Sequence, residues 1–581
     1  MSSNSSAAAA ATVKSTFNPA VENQLLADYL YYICAAGGGV VLLWSLAYRV
    51  MRRVRTVTSL NNDTQRYYAE QDSRHSWLKR NVVYAPVSRK RHNREIQMSS
   101  AINVGTLPTR LQLIFLLGYL ATNVAYCVIH IPFDSVGAAA QLRNRTGILA
   151  TINMVPLFLM AGRNNPLITL LGMSFDTFNL LHRWFGRIVA LEALTHTLSY
   201  VVVNAQKEGF SPVMKTIVDV PFLKYGLIST LAMLVIGFQA MSPLRHAAYE
   251  TFKILHIALA AVAVMGLYYH LHIGKYKQIS YLYSVIALWA ADRTARFLRV
   301  MYNNVGNGGT QTLVEALPGN ACRVTVTMAR PWTFKPGQHA YLYIPSVGYW
   351  QSHPFSVAWS EEAEVLEDDK LAMNRQEVMA MRKTSMSFVI RGRTGMTGKL
   401  YKKASEATDG RWHTKCMVEG PYGGVHNLHS YGTVMLFAGG VGITQAVPHV
   451  RDLVTGYANG TVAARKVVLV WTIQTPEHLE WIRPWMTEIL AMEKRRDVLR
   501  IMLFVSRPRS TKEIHSPSAT VQMFPGRPNI STLLGHELEN QVGTVGVTVC
   551  GPGALSDEVR LAVRDHQYEG SIEFIEEAFS W

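Results

Sequence analysis

The sequence is poor in charge and in cysteine. Charged residues make up 17% of its 581 residues, against about 25% in an average soluble protein, and 49% are hydrophobic. The five cysteines lie far apart and form no CxxC pair, so neither a disulfide framework nor a zinc ribbon is indicated. Together with the long apolar runs of residues 110–300, these absences exclude a disordered chain, a secreted disulfide-rich domain and a purely soluble enzyme.

The net charge of +17 could indicate a nucleic-acid ligand, but its position argues against one. Between Arg49 and Arg110, thirteen Lys or Arg residues stand against four acidic residues, directly after an apolar stretch. Basic residues beside a membrane span mark its cytoplasmic side. There is no basic helix interleaved with aromatic residues and no RNA-binding signature. We therefore interpret this charge as a topology signal, and expect contact with membrane lipid and no nucleic-acid partner.

Seven apolar stretches are candidates for membrane spans, which need about 20 apolar residues each. They are residues 28–48, 110–131, 146–162, 176–203, 222–242, 250–272 and 278–300. The basic cluster after the first stretch predicts that the N-terminus lies outside and that everything after about residue 301 is cytosolic. The sequons at Asn4 and Asn144 then face outward and permit glycosylation.

Four histidines occupy matched positions in two of these stretches. His182 and His196 lie in the fourth stretch, and His256 and His270 lie in the sixth. Each pair is fourteen residues apart, which is nearly four helical turns, so both members share one helix face about 21 Å apart. Counted from the acidic residue that opens each stretch, the histidines stand at offsets 6 and 20 in both.

Two parallel helices with this pattern would present facing histidine pairs at two depths, His182 with His256 and His196 with His270. Paired neutral imidazoles are what the two axial positions of a haem iron require. The alternative is that the histidines form hydrogen bonds between helices, but the duplicated spacing favours two stacked haems. His272 is close enough to His270 to be a rival outer ligand.

From about residue 305 the pattern changes to short strands with period-two alternation. ACRVTVTMAR, HAYLYIP, HPFSVAW, MSFVIRGR and TKCMVEGPYG predict an antiparallel small barrel, and the charged insertion at 360–384 is interpreted as a surface loop. After about residue 431, strands and helices alternate. This alternation predicts a parallel sheet with a ligand at the carboxyl ends of its strands.

Two motifs of the predicted barrel are candidates for binding a pyrophosphate. The first is HPFS at His353–Ser356, which alone is a weak signal. The second is a Gly-Met-Thr turn at Gly395, Met396 and Thr397. With Arg391 and Arg393 nearby, this turn offers backbone, hydroxyl and guanidinium donors.

Two further motifs end strands of the predicted parallel sheet. GGVGIT at Gly439–Thr444 lies between a strand and a helix, where glycines let the backbone approach a dinucleotide pyrophosphate. Its spacing is not GxGxxG. CGPG at Cys550–Gly553 places a thiol at the same sheet edge. Cys550 is either an inert buried thiol or an active-site residue, and its position favours the second interpretation.

In this order, with a terminal aromatic, the motifs resemble the ferredoxin-NADP reductase architecture. Together with a membrane domain that carries paired histidines, the chain resembles the ferric reductase family, which also includes NADPH oxidases. The resemblance covers about residues 100–581, and residues 1–100 are similar to the extra first span and loop of fungal ferric reductases. It implies a multi-pass α-helical membrane domain with a haem-binding bundle, then a ferredoxin-NADP reductase-like module of an antiparallel β-barrel FAD domain and an α/β nucleotide-binding domain. The expected boundaries are 1–104 for the tail, first span and basic loop, 105–301 for the di-haem domain, 302–430 for the FAD domain and 431–581 for the NADPH domain.

The resemblance also implies the site residues. It implies FAD on His353–Ser356, NADPH on Gly439–Thr444 with Cys550–Pro552, and a C-terminal aromatic over the flavin ring, for which Trp581 is the first choice and Phe579 the second. Ser506 and Arg507, which end a predicted strand, are candidates for the 2′-phosphate. The complete set of expected nucleotide-binding residues is His353, Pro354, Phe355, Ser356, Arg391, Gly395, Met396, Thr397, Gly439, Gly440, Gly442, Ile443, Thr444, Ser506, Arg507, Cys550, Gly551 and Pro552.

The function expected from these features is a transmembrane metalloreductase of the plasma membrane. NADPH would reduce FAD, and electrons would pass through two b-type haems, one at each depth, to Fe(III) chelates or siderophores outside, with Cu(II) as a further acceptor. A superoxide-generating NADPH oxidase is the first alternative, and a membrane assembly protein without turnover is the second. The equal spacing of the two histidine pairs and the lack of an EF-hand loop favour metal reduction. The sequence does not identify an iron permease or oxidase partner.

Overall fold

The structure is a computed structural model that describes most of the chain. The described residues are 18–60, 62–88, 92, 107–134, 137–306, 309–330, 332–349, 351–364, 382–424, 426–508, 510 and 514–577. These residues form two compact units. The first contains residues up to 45 and residues 114–293, and the second contains residues 46–88, 107–113 and those from 294 onward.

Seven long helices coincide with the seven predicted spans. They are α1 (Pro19–Thr58), α2 (Arg110–Val128), α3 (Ala138–Ala161), α4 (Phe175–Glu208), α5 (Pro221–Gln239), α6 (Tyr249–Ile273) and α7 (Ile279–Asn304). Within the described residues, α1, α2, α4, α5 and α6 are long and apolar enough to cross a membrane, whereas α3 and α7 are not among these candidates, so the third and seventh predicted spans stay predictions. The prediction of a helical membrane region is therefore confirmed. One detail differs, because α3 begins at Ala138, so the sequon at Asn144 lies in a helix and not in the expected loop.

The first unit is built from helix pairs around buried apolar side chains. Helix α3 packs along α4, and α5 packs along α6. The largest fully buried side chains of this unit include Phe178, Leu149 and Leu282. A buried amide also links three helices, since Asn153 Nδ2 of α3 donates to Asn123 Oδ1 of α2 (2.7 Å) and to Glu192 Oε2 of α4 (2.9 Å). Such bonds fix helix register within the bundle.

The first half of the second unit consists of two antiparallel sheets. Its strands are β1 (Gln311–Leu317), β2 (Ala321–Thr327), β3 (Gln338–Tyr343), β4 (Ser352–Ser356), β5 (Trp359–Glu364), β6 (Arg382–Arg391), β7 (Arg411–Lys415) and β8 (Met417–Gly423), and helix α8 is Met396–Ser405. One sheet has the order β5-β6-β2-β1-β7 and the other has the order β4-β3-β8. Val324, Leu342 and Phe388 lie in one shared core, which closes the two sheets on each other.

Part of the predicted surface insertion is strand. Residues 359–364 form β5 and pair with β6, from Trp359 opposite Ser387 to Glu364 opposite Arg382. The insertion thus begins and ends as an antiparallel ladder, and its middle lies outside the described residues. The run SEEAE after Trp359 is mostly acidic and has no alternating apolar residues, so the pairing could not be predicted from periodicity.

The second half of this unit is a doubly wound α/β domain. Its strands are β9 (Thr433–Gly439), β10 (Lys466–Ile473), β11 (Leu499–Val505), β12 (Val521–Pro525), β13 (Val545–Cys550) and β14 (Ile572–Glu576), and its longer helices are α9 (Ile443–Ala458), α10 (Arg483–Ala491), α11 (Ile530–Glu539) and α12 (Gly553–Asp565). All strands are parallel, in the order β12-β11-β10-β9-β13-β14. The order reverses between β9 and β13, where such sheets bind ligands. The predicted module of a flavin domain and a parallel-sheet domain is confirmed.

Residues 46–88 are part of this second unit and cover the edge strand β14. Ser571 donates its backbone N–H to Ala69 O (2.8 Å), Lys79 Nζ donates to Ile572 O (3.1 Å), and Phe574 donates its N–H to the Tyr84 hydroxyl (3.2 Å). An uncovered edge strand invites unwanted pairing, so this segment completes the domain. The boundary expected at residue 104 stays a prediction. Of the described residues before it, 18–45 belong to the first unit, and 46–60, 62–88 and 92 belong to the second.

Candidate functional site

The two predicted histidine pairs face each other in the membrane unit. The ring centroids of His182 and His256 are 6.1 Å apart, and those of His196 and His270 are also 6.1 Å apart. An imidazole nitrogen lies about 2 Å from a first-row metal ion, so two rings that share one ion have centroids about 6 Å apart. The separation of both pairs therefore fits a haem iron between the rings.

Three of the four rings are oriented by backbone carbonyls. The Nδ1 atom of His182 donates to Leu157 O (3.0 Å), that of His196 to Arg143 O (2.7 Å), and that of His270 to Phe222 O (2.9 Å). A carbonyl only accepts, so the proton is on Nδ1 and the Nε2 lone pair is free to bind a metal. Metal-ligating histidines are commonly held in this way by a second partner.

Two glycines make room for the outer pair. A Cβ atom on Gly147 would lie 2.6 Å from the Nδ1 atom of His196, and one on Gly226 would lie 2.7 Å from that of His270. Each glycine follows the carbonyl residue of the same ring by four positions, one on α3 and one on α5. Neither glycine was predicted from the sequence. The four-residue spacing after Arg143 and Phe222, whose carbonyls accept from the rings, was the signal, but it has meaning only once the helix pairing is known.

The contacts of His256 and of His272, the rival outer ligand, differ from those of the three rings bonded to carbonyls. Within the described part of the chain, the buried Nδ1 atom of His256 has no hydrogen-bond partner. His272 stacks on Tyr268 of its own helix, with centroids 5.5 Å apart and an angle of 12° between the rings. The ring that faces His196 is that of His270.

The two glycine-rich motifs of the parallel sheet lie side by side. Strands β9 and β13 are neighbours, with Cys550 opposite Ala438, so GGVGIT and CGPG leave the same sheet edge. A Cβ atom on Gly442 would lie 2.1 Å from Cys550 O, and one on Gly551 would lie 2.9 Å from the backbone nitrogen of Gly439. Only glycine allows the two loops to approach this closely.

The remaining predicted nucleotide residues of this domain share the edge. Ile443 and Thr444 open helix α9, and the Thr444 hydroxyl donates to Val441 O (2.9 Å). Ser506 follows β11 and donates its N–H to Ile473 O (2.8 Å), while Arg507 donates its N–H to Gln474 O (3.0 Å) and has an exposed side chain. The structure thus brings them to the carboxyl ends of β9 and β11, two strands of one sheet with β10 between them.

The barrel motifs lie on adjacent strands. His353–Ser356 belong to β4, which pairs with β3 and contacts β6, and its five residues are all half-buried. Arg391 ends β6, and Gly395 with φ +70° immediately precedes helix α8. The Thr397 hydroxyl accepts the N–H of Arg393 (3.2 Å), which shapes the turn at the helix N-terminus. Free N–H groups at such a terminus suit a phosphate.

Cys550 is a neutral thiol. Burial raises its pKa to about 12, and the negative charge of Glu577 adds to this effect. A nucleophilic thiolate role at neutral pH is therefore excluded, and any active-site role of Cys550 rests on contact. Trp581 and Phe579 lie outside the described residues.

Three family models match the chain in succession. The "ferric reductase like transmembrane component" matches residues 146–267, the "FAD-binding domain" matches residues 307–426, and the "ferric reductase NAD binding domain" matches residues 431–564. A helical membrane unit followed by flavin- and nicotinamide-binding domains defines a membrane-bound flavoprotein oxidoreductase. More specifically, the chain belongs to the ferric reductase family.

Curated relatives are fungal ferric reductases. The chain is 26% identical to ferric/cupric reductase transmembrane component 2 of Saccharomyces cerevisiae over 521 residues, covering 83% of this chain and 68% of that protein. It is 26% identical to ferric/cupric reductase transmembrane component 1 of Candida albicans, covering 82% of this chain and 63% of that protein. It is also 26% identical to the probable cell surface ferric reductase kap2 of Aspergillus oryzae, over 60% of this chain and 45% of that protein.

Proposed function

We propose that this protein transfers electrons from cytosolic NADPH, through FAD and two b-type haems, to Fe(III) chelates or siderophores outside the plasma membrane. Cu(II) is the second proposed acceptor, since some relatives carry ferric/cupric reductase as their name. The observation that carries the proposal is the pair of equal 6.1 Å histidine separations at two depths of one helix bundle.

In the membrane unit, two pairs of histidine rings are held in position to bind metal. The helices α4 and α6 supply the rings, and the carbonyls of Leu157, Arg143 and Phe222 keep the proton on Nδ1, away from the metal-binding nitrogen. Gly147 and Gly226 leave space for the outer rings to take that orientation. No metal-ligand geometry has to be created on binding, because the rings are already separated by the required distance.

In the cytosolic unit, the residues bind and align two nucleotides. When bound, the flavin accepts a two-electron hydride from nicotinamide and releases single electrons, which is what a haem iron can accept. The Gly395–Thr397 turn at the N-terminus of α8 binds the FAD pyrophosphate with Arg391, and GGVGIT binds that of NADPH at the N-terminus of α9. Ser506 and Arg507 hold the 2′-phosphate, and the neutral Cys550 side chain borders the nicotinamide.

The direction of electron flow is supported by the positions of basic residues. Arg49, Arg52 and Arg55 stand in the last turns of α1, and Arg296 and Arg299 stand in those of α7. Basic residues at helix ends favour the cytoplasmic side. This charge distribution supports a cytosolic nucleotide-binding unit and an outer histidine pair that is closer to the opposite membrane surface.

The test of this function is reduction of a ferric chelate by the purified full-length protein with NADPH and FAD. Fe(II) should form in proportion to NADPH consumed, and the signal should persist without oxygen and with superoxide dismutase. His182→Ala and His256→Ala should remove haem and stop the reaction, whereas His246→Ala, at an exposed position, should change neither. Loss of the Fe(II) signal without oxygen would identify superoxide as the product. Full haem absorbance in a variant without His182 and His196 would refute the ligand assignment.

A further inference from the structure

Two helices of the membrane region end inside the second unit, and each brings an arginine to a buried glutamate. Residues 46–58 of α1 and residues 294–304 of α7 both belong to this unit. Arg55 of α1 pairs with Glu573 on β14, and Arg296 of α7 pairs with Glu419 on β8. Strand β14 belongs to the parallel sheet and β8 to the antiparallel barrel. Each half of the unit is therefore held by a different helix.

The first group, here called the Glu573 cluster, consists of Arg55, Tyr48, Tyr431 and Glu573. Arg55 Nη1 lies 2.9 Å from Glu573 Oε1, and the Tyr431 hydroxyl donates to Oε2 (2.6 Å), as does the Tyr48 hydroxyl. The guanidinium also lies 4.5 Å above the Tyr431 ring. Burial alone would raise the pKa of Glu573, but Arg55 and Lys79 outweigh it and hold the pKa at about 2. Glu573 is thus a carboxylate at neutral pH.

The second group, the Glu419 cluster, repeats this arrangement with Arg296, Tyr343, Tyr422 and Glu419. Arg296 contacts both carboxylate oxygens, Nε at 3.0 Å and Nη2 at 3.1 Å. Tyr343 donates to Oε2 (2.5 Å) and Tyr422 donates to Oε1 (2.7 Å). Glu419 is completely buried. A forked guanidinium on a fully bonded carboxylate fixes direction as well as distance.

Further contacts extend the second cluster along α7. Asn303 Nδ2 donates to Gly420 O (2.7 Å), and Asn304 Nδ2 donates to Val418 O (2.8 Å). Arg299 stacks 4.8 Å from the Tyr422 ring. The last two turns of α7 are therefore bonded to one short stretch of β8, which leaves little freedom of rotation for that strand about the helix.

The presence of two such clusters calls for an explanation other than stability, because buried ion pairs stabilise a fold poorly. Apolar side chains of similar volume would hold two elements together at least as well, so a buried pair is better explained by the orientation it specifies. Here the same solution, one arginine on one glutamate with two tyrosine hydroxyls, occurs once in each half of the unit. Both arginines come from helices that continue into the unit that carries the histidine pairs.

We propose that Arg55 and Arg296 are positioning residues that fasten the nucleotide-binding and flavin-binding halves to α1 and α7, and that this fastening sets the rate at which electrons leave the flavin for the haem. The inference rests on the proposed function. The electron lost by the reduced flavin is the one gained by a ferric haem iron, and neither arginine is oxidised, reduced or deprotonated. Their effect is on the distance and orientation that the electron must cross.

The experiment separates the two half-reactions in the full-length protein with bound FAD and haem. Under anaerobic conditions, rapid mixing with NADPH follows flavin bleaching and haem reduction at their separate wavelengths. Arg55→Leu and Arg296→Leu should slow haem reduction about tenfold or more, because small displacements of reacting groups are costly. Flavin reduction should stay within about twofold, since the hydrogen bonds of both arginines go to residues outside the proposed nucleotide-binding set. The reversal Arg55→Glu with Glu573→Arg should recover much of the lost rate.

A control in the same unit tests for loss of an ion pair between a half-buried arginine and a buried glutamate. Arg500 lies 2.9 Å from Glu537 in the same unit, and Glu537 keeps Lys466 at 2.6 Å when Arg500 is replaced. Arg500→Leu should leave both half-reactions unchanged. If the leucine variants lose FAD, the lysine variants decide instead, because they keep the charge and lose the fork.

Equal slowing of flavin and haem reduction would show that the two clusters only stabilise the fold and would overturn the proposal. Unchanged haem reduction in all arginine variants would overturn it too. Failure of the proposed function is a distinct result, because then the unmodified protein with NADPH would reduce flavin and no haem.

Discussion

Glycines allow close packing at both the histidine site and the nucleotide site of this molecule. The groups that pack against them are side-chain rings at the first site and backbone atoms at the second. In the membrane unit, Gly147 and Gly226 lie against the imidazole rings of His196 and His270. In the second unit, Gly442 lies against the backbone carbonyl of Cys550. A ring can rotate about its side-chain bonds, whereas a carbonyl in a parallel sheet is fixed by its ladder. A glycine-to-alanine substitution should therefore displace a histidine ring in the membrane unit, whereas in the second unit it should disrupt the fold.

The largest effect is expected for Gly442→Ala. The new Cβ atom would lie 2.1 Å from Cys550 O and 2.6 Å from the carbonyl carbon, so strands β9 and β13 would have to separate at their carboxyl ends. Overpacking of this kind costs about 1–3 kcal/mol or more. NADPH-dependent flavin reduction should be lost, and the thermal unfolding temperature of the second unit should fall.

The control for this variant is Gly460→Asn. Gly460 also has no side chain, but no atom lies within 4 Å of its missing Cβ, and Asn tolerates its φ of +65°. It should behave as the unmodified protein. Retained flavin reduction in Gly442→Ala would mean that the two loops are farther apart in solution and would remove the contrast between the units.

The next effect in size is expected for Gly147→Ala and Gly226→Ala. The methyl group would displace the His196 or His270 ring from its carbonyl partner and turn its Nε2 atom away from the metal. Loss of such a partner weakens metal binding by about 10–100-fold. Haem content should fall from the proposed two per chain toward one, while NADPH-dependent dye reduction by the flavin stays unchanged.

Gly186→Ala is the matched control in the same bundle. Its Cβ would meet Leu157 Cδ1 at 3.5 Å, which is an ordinary van der Waals contact. This variant should keep both haems. If it loses haem as readily as Gly147→Ala, the effect is a general response of the bundle to added volume, and the ring-specific explanation is wrong.

The sequence was informative where one element alone carries the pattern. A fourteen-residue spacing places His182 and His196 on one face of any helix, and strand alternation followed by GGVGIT marks a nucleotide loop. Gly147 could not be recognised, because its role depends on the register of α3 against α4. The burial of Arg55 could not be predicted either, since its partner Glu573 is 518 residues away in the chain. Its charge was therefore interpreted as a topology signal.

A smaller effect is expected for Cys550→Ala, which changes the side chain of the residue whose backbone Gly442 contacts. The atoms of Cys550 that lie closest to Gly442 are the carbonyl oxygen and carbon, which the substitution keeps, so the fold and FAD binding should persist. Hydride transfer should slow by about tenfold, because the thiol borders the proposed nicotinamide position.

The pH dependence distinguishes contact from ionisation at Cys550. With the pKa of the thiol raised to about 12, no thiolate forms between about pH 6 and 9. The pH profiles of flavin reduction in the unmodified protein and in Cys550→Ala should therefore be parallel. An ionisation in that range that disappears in the variant would contradict the burial of the thiol.

The smallest effect is expected for His272→Ala, which tests whether the outer pair tolerates an alternative ligand. Two residues along a helix correspond to about 200° of rotation, so His272 points away from the face that carries His270. Its ring stacks on Tyr268 and its side chain is exposed. Its removal should change stability by no more than about 0.5 kcal/mol and leave both haems in place.

In contrast, His270→Ala should lose the outer haem although His272 remains. A rotation of α6 large enough to bring His272 opposite His196 would move His256 away from His182. Retention of two haems in His270→Ala, with loss of one in His272→Ala, would reverse the assignment of the outer ligand.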